Sequence, residues 1–158
     1  TCMSCGYTVI MNTYGFFEAQ NDKLHFDNIR RWNLWQLGFM TRHLLRAQVL
    51  RSREPVLSDG PLWVWSGCGT GAMKRTMYGA LSVFTDRLEF HGVNSRRLAF
   101  PLDEIQGVNV QLGEVMEFYF NDILYAFRFK HIWISGYKWM VAINILRGRD
   151  VFRTNLVD

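Results

Sequence analysis

The stretch Tyr78-Gly79-Ala80-Leu81-Ser82-Val83-Phe84-Thr85-Asp86-Arg87-Leu88-Glu89-Phe90-His91 decides how this chain folds. Two extended apolar-rich runs flank Thr85-Asp86, a pair suited to a tight turn, so the stretch reads as a β-hairpin. The same signal repeats downstream. Gly92-Val93-Asn94-Ser95 turns the chain into Arg97–Leu102, and Ile105–Leu112 and Val115–Phe120 alternate between apolar and polar. Asn121-Asp122 then turns into Leu124–Lys130. Alternation places every second side chain on one face, which is what a half-buried strand needs.

Upstream of the hairpin, Leu62–Ser66 is apolar and aromatic and predicts another strand, with Trp63 and Trp65 on one of its faces. Gly67-Cys68-Gly69-Thr70-Gly71 reads as a flexible link, and Ser58-Asp59-Gly60-Pro61 as a turn and a boundary. Six or seven short strands at this spacing form a meander that must close on itself or sandwich. The last element differs. Ser135 can cap a helix over 136–147, Gly148 can stop it, and Trp139, Ile143 and Leu146 share one side of it. Strands followed by one amphipathic helix are the plan of a pleckstrin-homology-like barrel, in which the helix plugs an open end.

Residues 27–57 predict a linker helix. Asp27 or Asn28 can cap it, the pattern runs without proline to Leu50, and Pro55 forbids continuation. If that helix is unbroken, Arg31, Arg42, Arg46 and Arg53 fall within about 60° of one another and form a basic stripe. Residues 1–26 predict a small β unit, with strands near Tyr7–Met11, Phe16–Ala19 and Leu24–Phe26. Cys2-Met3-Ser4-Cys5-Gly6 opens it as a knuckle that can present two thiolates to one zinc ion at about 2.3 Å. A structural zinc needs four ligands, and Cys68 is the only other cysteine. The expectation is therefore half a zinc ribbon, with its other knuckle upstream in a longer protein. The domain plan is a partial ribbon over 1–26, a linker helix over 27–57, the barrel with its helix over 58–150 and a tail over 151–158. The fold class is mainly β, with α+β character.

The 158 residues suffice for a core that needs no crosslinks, and 49% of them are hydrophobic. That richness excludes a disordered tail. Three cysteines exclude a disulfide framework, and the knuckle favours a reducing compartment. A formal charge of +4 is compatible with an anionic partner without demanding one. No apolar run approaches the length of a membrane span.

Two resemblances follow from these residues. Val83–Phe90 followed by Phe100-Pro101-Leu102-Asp103-Glu104-Ile105-Gln106-Gly107-Val108 resembles the strand pairs of bacterial pleckstrin-homology-like and GRAM-like domains. Cys2-x-x-Cys5-Gly6, Met11-x-x-Tyr14-Gly15 and Phe26-x-x-Ile29-x-x-Trp32-x-x-Trp35, in that order, resemble the region after the catalytic domain of certain bacterial lysophospholipid (1-acylglycerol-3-phosphate) acyltransferases. The second resemblance implies a zinc ribbon, a linker helix and a β-rich tail behind an acyltransferase. Catalysis in that family rests on a His-x-x-x-x-Asp motif. None of His25, His43, His91 and His131 is followed by Asp at that spacing, and the family's Pro-Glu-Gly-Thr-like stretch is absent. The resemblance thus implies a non-catalytic part of such an enzyme.

The candidate sites are few. Lys74, Arg75, Arg96 and Arg97 fall at expected loops of the barrel, where arginine can chelate phosphate through a bidentate fork. They are the expected contacts to anionic lipid. Cys2 and Cys5 are the expected zinc ligands of the intact parent. Gly67–Gly71 lacks the Gly-Lys-Ser/Thr ending of a phosphate loop. Ser66, Ser82 and Ser95 have no nucleophile-elbow context, and Asp103 and Glu104 are adjacent and diverge. Basic and aromatic residues do not alternate along one strand as nucleic-acid stacking would require. The sequence therefore predicts an accessory domain, cytoplasmic and peripheral to the inner face of the membrane, that positions an upstream acyltransferase domain at lipid headgroups. The alternative is a free-standing protein-interaction module of the same fold.

Overall fold

The computed structural model describes residues 9–11, 17–19, 25–26, 29–68, 71–130 and 136–149. Two compact units divide at Arg42/His43, within a single long helix. In the first unit, β1 (Val9–Met11), β2 (Phe17–Ala19) and β3 (His25–Phe26) form an antiparallel sheet in that order. These are the three short strands the sequence predicts. The expected zinc pair Cys2 and Cys5, the helix caps Asp27, Asn28 and Ser135, and the tail over 151–158 lie outside the described residues.

Helix α1 (Ile29–Val49) crosses the boundary between the units. It ends on a left-handed residue, Arg51, at φ 48°. The Arg51 N–H donates to the Gln48 carbonyl at 3.0 Å and the Ser52 N–H to the Ala47 carbonyl at 3.1 Å, satisfying two acceptors the helix leaves open. Arg53 therefore stands past the helix end and outside the expected basic stripe.

The second unit is built on one seven-stranded antiparallel sheet. Its strands are β4 (Leu57–Cys68), β5 (Lys74–Val83), β6 (Arg87–Gly92), β7 (Arg97–Pro101), β8 (Gln106–Gln111), β9 (Val115–Phe120) and β10 (Ile123–Phe129). The order across the sheet is β7-β6-β5-β4-β10-β9-β8. It comprises two meanders, β4 to β7 and β8 to β10, joined where β10 pairs with β4. The turns follow their residues. Asn121 (φ 49°) and Asp122 (φ 59°) make the two-residue turn between β9 and β10, the left-handed pair that matches strand twist. Between β6 and β7, Val93-Asn94-Ser95 closes with Ser95 at φ 63°. Pro101, which cannot donate to a ladder, sits at the end of β7, an edge strand.

The sheet curls, and its inner face is the core. Leu62, Val64, Leu81, Val83, Leu88, Phe90, Met116, Phe118 and Phe127 are all fully buried. The curl is visible in Phe100, on edge strand β7. Its ring lies 5.1 Å from that of Phe118 and 5.3 Å from that of Phe120, both on β9, and 6.1 Å from that of Phe127 on β10, each edge to face. Strand β7, at one end of the sheet order, thus meets β9 and β10 from the other half across its hollow. Edge-to-face pairs place a ring's positive rim against its neighbour's negative face. Close packing also constrains the backbone. A Cβ added at Gly79, where β5 pairs with β6, would collide with the His91 carbonyl oxygen.

Helix α2 (Gly136–Leu146) packs against β8 and β9. Trp139, Val141, Ala142, Ile143, Ile145 and Leu146 are buried. The Trp139 ring stacks on Phe129 at 5.8 Å, and its Nε1–H donates to Asp59 Oδ2 at 2.9 Å. The end of α1 is tied to the same helix, since Gln48 Nε2 donates to the Leu146 carbonyl at 2.7 Å. Gly148 (φ 69°) ends α2 as the sequence predicts. The Gly148 N–H donates to Ile145 and the Arg149 N–H to Asn144.

Two local expectations are corrected. Ser58–Pro61, predicted as a boundary turn, is part of β4. Ser58 pairs with Ser82 and Asp59 with Leu81, and Gly60-Pro61 then bulges opposite Ala80. Pairing with β5 overrides the turn chemistry, and the bulge absorbs a proline that cannot donate. Gly67 and Cys68 likewise belong to β4, opposite Leu124 and Ile123 of β10, so the expected flexible link begins only after them.

Candidate functional site

Strand register determines which connections share an end of the sheet. Cys68, the last residue of β4, pairs with Ile123, the first of β10, so the β4–β5 connection and the Asn121-Asp122 turn leave the same end. The Val93 N–H donates to the Tyr78 carbonyl at 3.0 Å, so the β6–β7 hairpin points the same way but stops level with the middle of β5: Arg97 pairs with His91, and His91 with Ala80. Lys74 is the first residue of β5, Arg96 closes the β6–β7 turn and Arg97 is the first residue of β7. All three are exposed, and among the described residues none of their side chains forms an ion pair. Expected on loops, Lys74 and Arg97 are in fact strand ends beside loops.

The same end carries an opposite charge further round the curl. Glu104, Gln106, Tyr119, Asn121 and Asp122 line a polar hollow of about 430 Å³. That end thus carries the carboxylates Glu104 and Asp122 by β8 and β9 and the cation Lys74 by β5.

Arg75 is separated from the other three predicted cations. Val64 pairs with Met77, but Trp65 pairs with Arg75, so Thr76 is an extra residue in β5. Its hydroxyl donates to the Val64 carbonyl at 3.2 Å. An extra residue reverses the alternation beyond it and re-aims the strand. Arg75 is thereby turned onto the outer face that carries Tyr78, Trp63 and Trp65. Its guanidinium sits 4.3 Å from the centre of the Trp63 ring, and Tyr78 lies 4.4 Å from the same ring. A guanidinium over an indole face is a favourable cation–π arrangement that leaves its edge N–H donors free.

Around this stack lies a groove of about 450 Å³ lined by Trp63, Trp65, Arg75, Glu114, Arg128, Phe129 and Lys130. Arg128 is opposite Trp63 in the register, and its Nη2 lies 3.6 Å from Glu114 Oε2. Both side chains of that pair are more than half exposed, so solvent screens it. The sequence shows Trp63-x-Trp65 and Arg128-x-Lys130 as separate patterns. Nothing in it reveals that β10 lies beside β4, or that Thr76 bulges.

A third cluster occupies the outer face of β6. Arg87 pairs with Asp86 at 2.8 Å and with Glu89, and His91 Nε2 lies 3.0 Å from Glu89. Hydrogen bonds from Arg87 first and His91 second hold the Glu89 carboxyl below its ordinary value. On α2 and just past its end, Asn144 Oδ1 and Arg147 Nη1 are buried without a hydrogen-bond partner among the described residues. Burial, reinforced by Arg149 and opposed by Asp103, lowers the affinity of the Arg147 guanidinium for its proton.

Neither cluster assembles a nucleophile with a base. Cys68 is exposed and free at the end of β4. Among the described residues, no three His, Cys, Asp or Glu side chains gather to hold a metal ion, and no helix is long and apolar enough to cross a membrane. Compared with models of known protein families and with curated proteins, the chain matches none.

Proposed function

We propose that this chain is a non-catalytic accessory module that positions a partner enzyme at anionic lipid headgroups. The order of four strands, three strands and then a helix supports the reading of a pleckstrin-homology-like barrel. The enzyme proposed is a bacterial acyltransferase of the 1-acylglycerol-3-phosphate type, joined through the 1–26 unit, whose Cys2 and Cys5 would supply two ligands to a zinc ion in the intact parent. That step rests on the sequence resemblance alone.

The observation that supports lipid contact is that Lys74, Arg96 and Arg97 stand exposed beside the β4–β5 and β6–β7 connections, which point the same way, with no ion pair among the described residues. Cations near an anionic bilayer gain about 1 kcal/mol each, and the gain fades within a Debye length as salt rises. The acidic hollow by β8 and β9 would set the orientation, since it is repelled by the surface that attracts the cations. The test is co-sedimentation with phosphatidylglycerol-containing vesicles and with phosphatidylcholine vesicles across a salt series. Binding to the anionic vesicles that weakens steadily with salt is expected. No binding, or equal binding to both vesicle types, overturns the reading.

A further inference from the structure

The outer-face groove is separate from the loop end and has a different chemistry. Its residues lie on β4, β5 and β10, just past β10 and in the β8–β9 turn, whereas Lys74, Arg96 and Arg97 stand beside the β4–β5 and β6–β7 connections. Three cations (Arg75, Arg128 and Lys130) face one carboxylate, Glu114, whose pairing to Arg128 is long and exposed. Between the cations lies an aromatic floor, Trp63 and Trp65, on the solvent side of a strand whose other face buries Leu62 and Val64. Aromatic and arginine side chains grouped in a concave site are the usual composition of a binding anchor.

From this geometry we propose that the groove docks an acidic protein segment carrying an aromatic side chain. Its carboxylates meet the edge N–H donors of Arg75 and the Lys130 ammonium, and its ring lies against Trp65. Three observations select this occupant. The charge balance calls for an anion. A hollow of about 450 Å³ holds side chains, whereas a flat bilayer has nothing to insert into a concavity on the side of a sheet. Trp63 is flanked by Arg75 and Tyr78, so it offers no clear face for a stacked nucleobase. Arg75, held over Trp63, is pre-oriented, which lowers the entropy cost of binding.

The probe is a short fluorescein-labelled peptide of glutamates around a central phenylalanine, followed by anisotropy with the intact chain. Controls replace the glutamates with lysine or the phenylalanine with glycine. Lys130→Glu changes an exposed residue and leaves the core untouched, and Trp65→Ala removes the floor. The expected result is saturable binding of the acidic aromatic peptide, with each variant weakening it about tenfold or more and both controls binding less. Thermal melts of the variants verify folding. Absence of binding, equal binding of the lysine peptide, or binding that neither variant alters overturns the proposal. Displacement of the peptide by single-stranded DNA with the same sensitivity to both variants also overturns it, in favour of nucleic acid. The lipid reading fails separately: vesicle binding can be lost while peptide binding persists, and the reverse.

Discussion

Leu62 and Val64 are fully buried on β4, while Trp63 and Trp65, interleaved with them, remain partly exposed. The same contrast holds on β6, where Leu88 and Phe90 face the core and Arg87, Glu89 and His91 face out. One set of strands thus carries two surfaces with separate duties. The inner face spends its apolar area on folding, around Phe100 and Phe118. The outer face places charge and aromatic rings where they add little to stability and remain available to a partner. Large aromatic side chains left on the solvent side of a strand are therefore more informative about binding than the larger number inside.

The comparison breaks most visibly if inner and outer aromatics are exchanged for alanine. Phe118→Ala empties a site packed against Phe100, Phe127 and Tyr125, and a loss of about 3–5 kcal/mol is expected in urea unfolding. Trp65→Ala should cost well under half of that, because solvent already reaches its ring. Equal losses would mean that the outer face is structural and would remove the division of labour. Trp139→Phe tests the polar contact made from inside. The ring remains stacked on Phe129, but Asp59 loses its 2.9 Å donor, so a loss of about 1 kcal/mol is expected by the same method.

The smallest effect concerns the outer cluster on β6. The Glu89 carboxyl titrates below its ordinary value of 4.5 because Arg87 and His91 favour its charged form. A depressed folded value means that the stabilisation is complete above the unfolded value and is lost as pH falls through the folded one. Glu89→Gln should therefore lower Tm slightly at pH 7, and the gap to the natural protein should close in acid, as pH falls through the lowered folded value. The pair is surface-exposed, so a shift of a few degrees at most is expected. A gap that widens in acid would contradict the assignment.

Much of the strand map was legible because alternation and turn chemistry agree. Asn121-Asp122 reads as a turn, and the left-handed conformation of both residues explains why. Gly148 reads as a helix stop for the same reason. Legibility failed where pairing between distant strands overruled local preference. Gly60-Pro61 has the composition of a turn but bulges inside β4, because residues on both sides pair with β5. Thr76 has nothing unusual about it in sequence, yet its extra place in the ladder moves Arg75 from the loop set to the Trp63 face. A bulge depends on two strands at once, so neither strand alone announces it. Of the expected anion site, Arg96 and Arg97 stand together at the β6–β7 turn, Lys74 lies further along β5, and the groove with Arg128 and Lys130 is new. Trp63 and Trp65 are more than 60 residues from Arg128 and Lys130 in sequence and are brought beside them by the β4–β10 pairing.

The most direct test is vesicle binding of a triple variant, Lys74→Ala with Arg96→Ala and Arg97→Ala, measured beside the natural protein on phosphatidylglycerol-containing membranes at low salt. All three side chains are exposed, so the variant should fold and melt as the natural protein does. The account predicts that its membrane affinity falls by about tenfold or more, in line with about 1 kcal/mol per cation, while the acidic peptide still binds the groove. Unchanged binding of the triple variant to the same vesicles would contradict the claim that these three cations face the lipid.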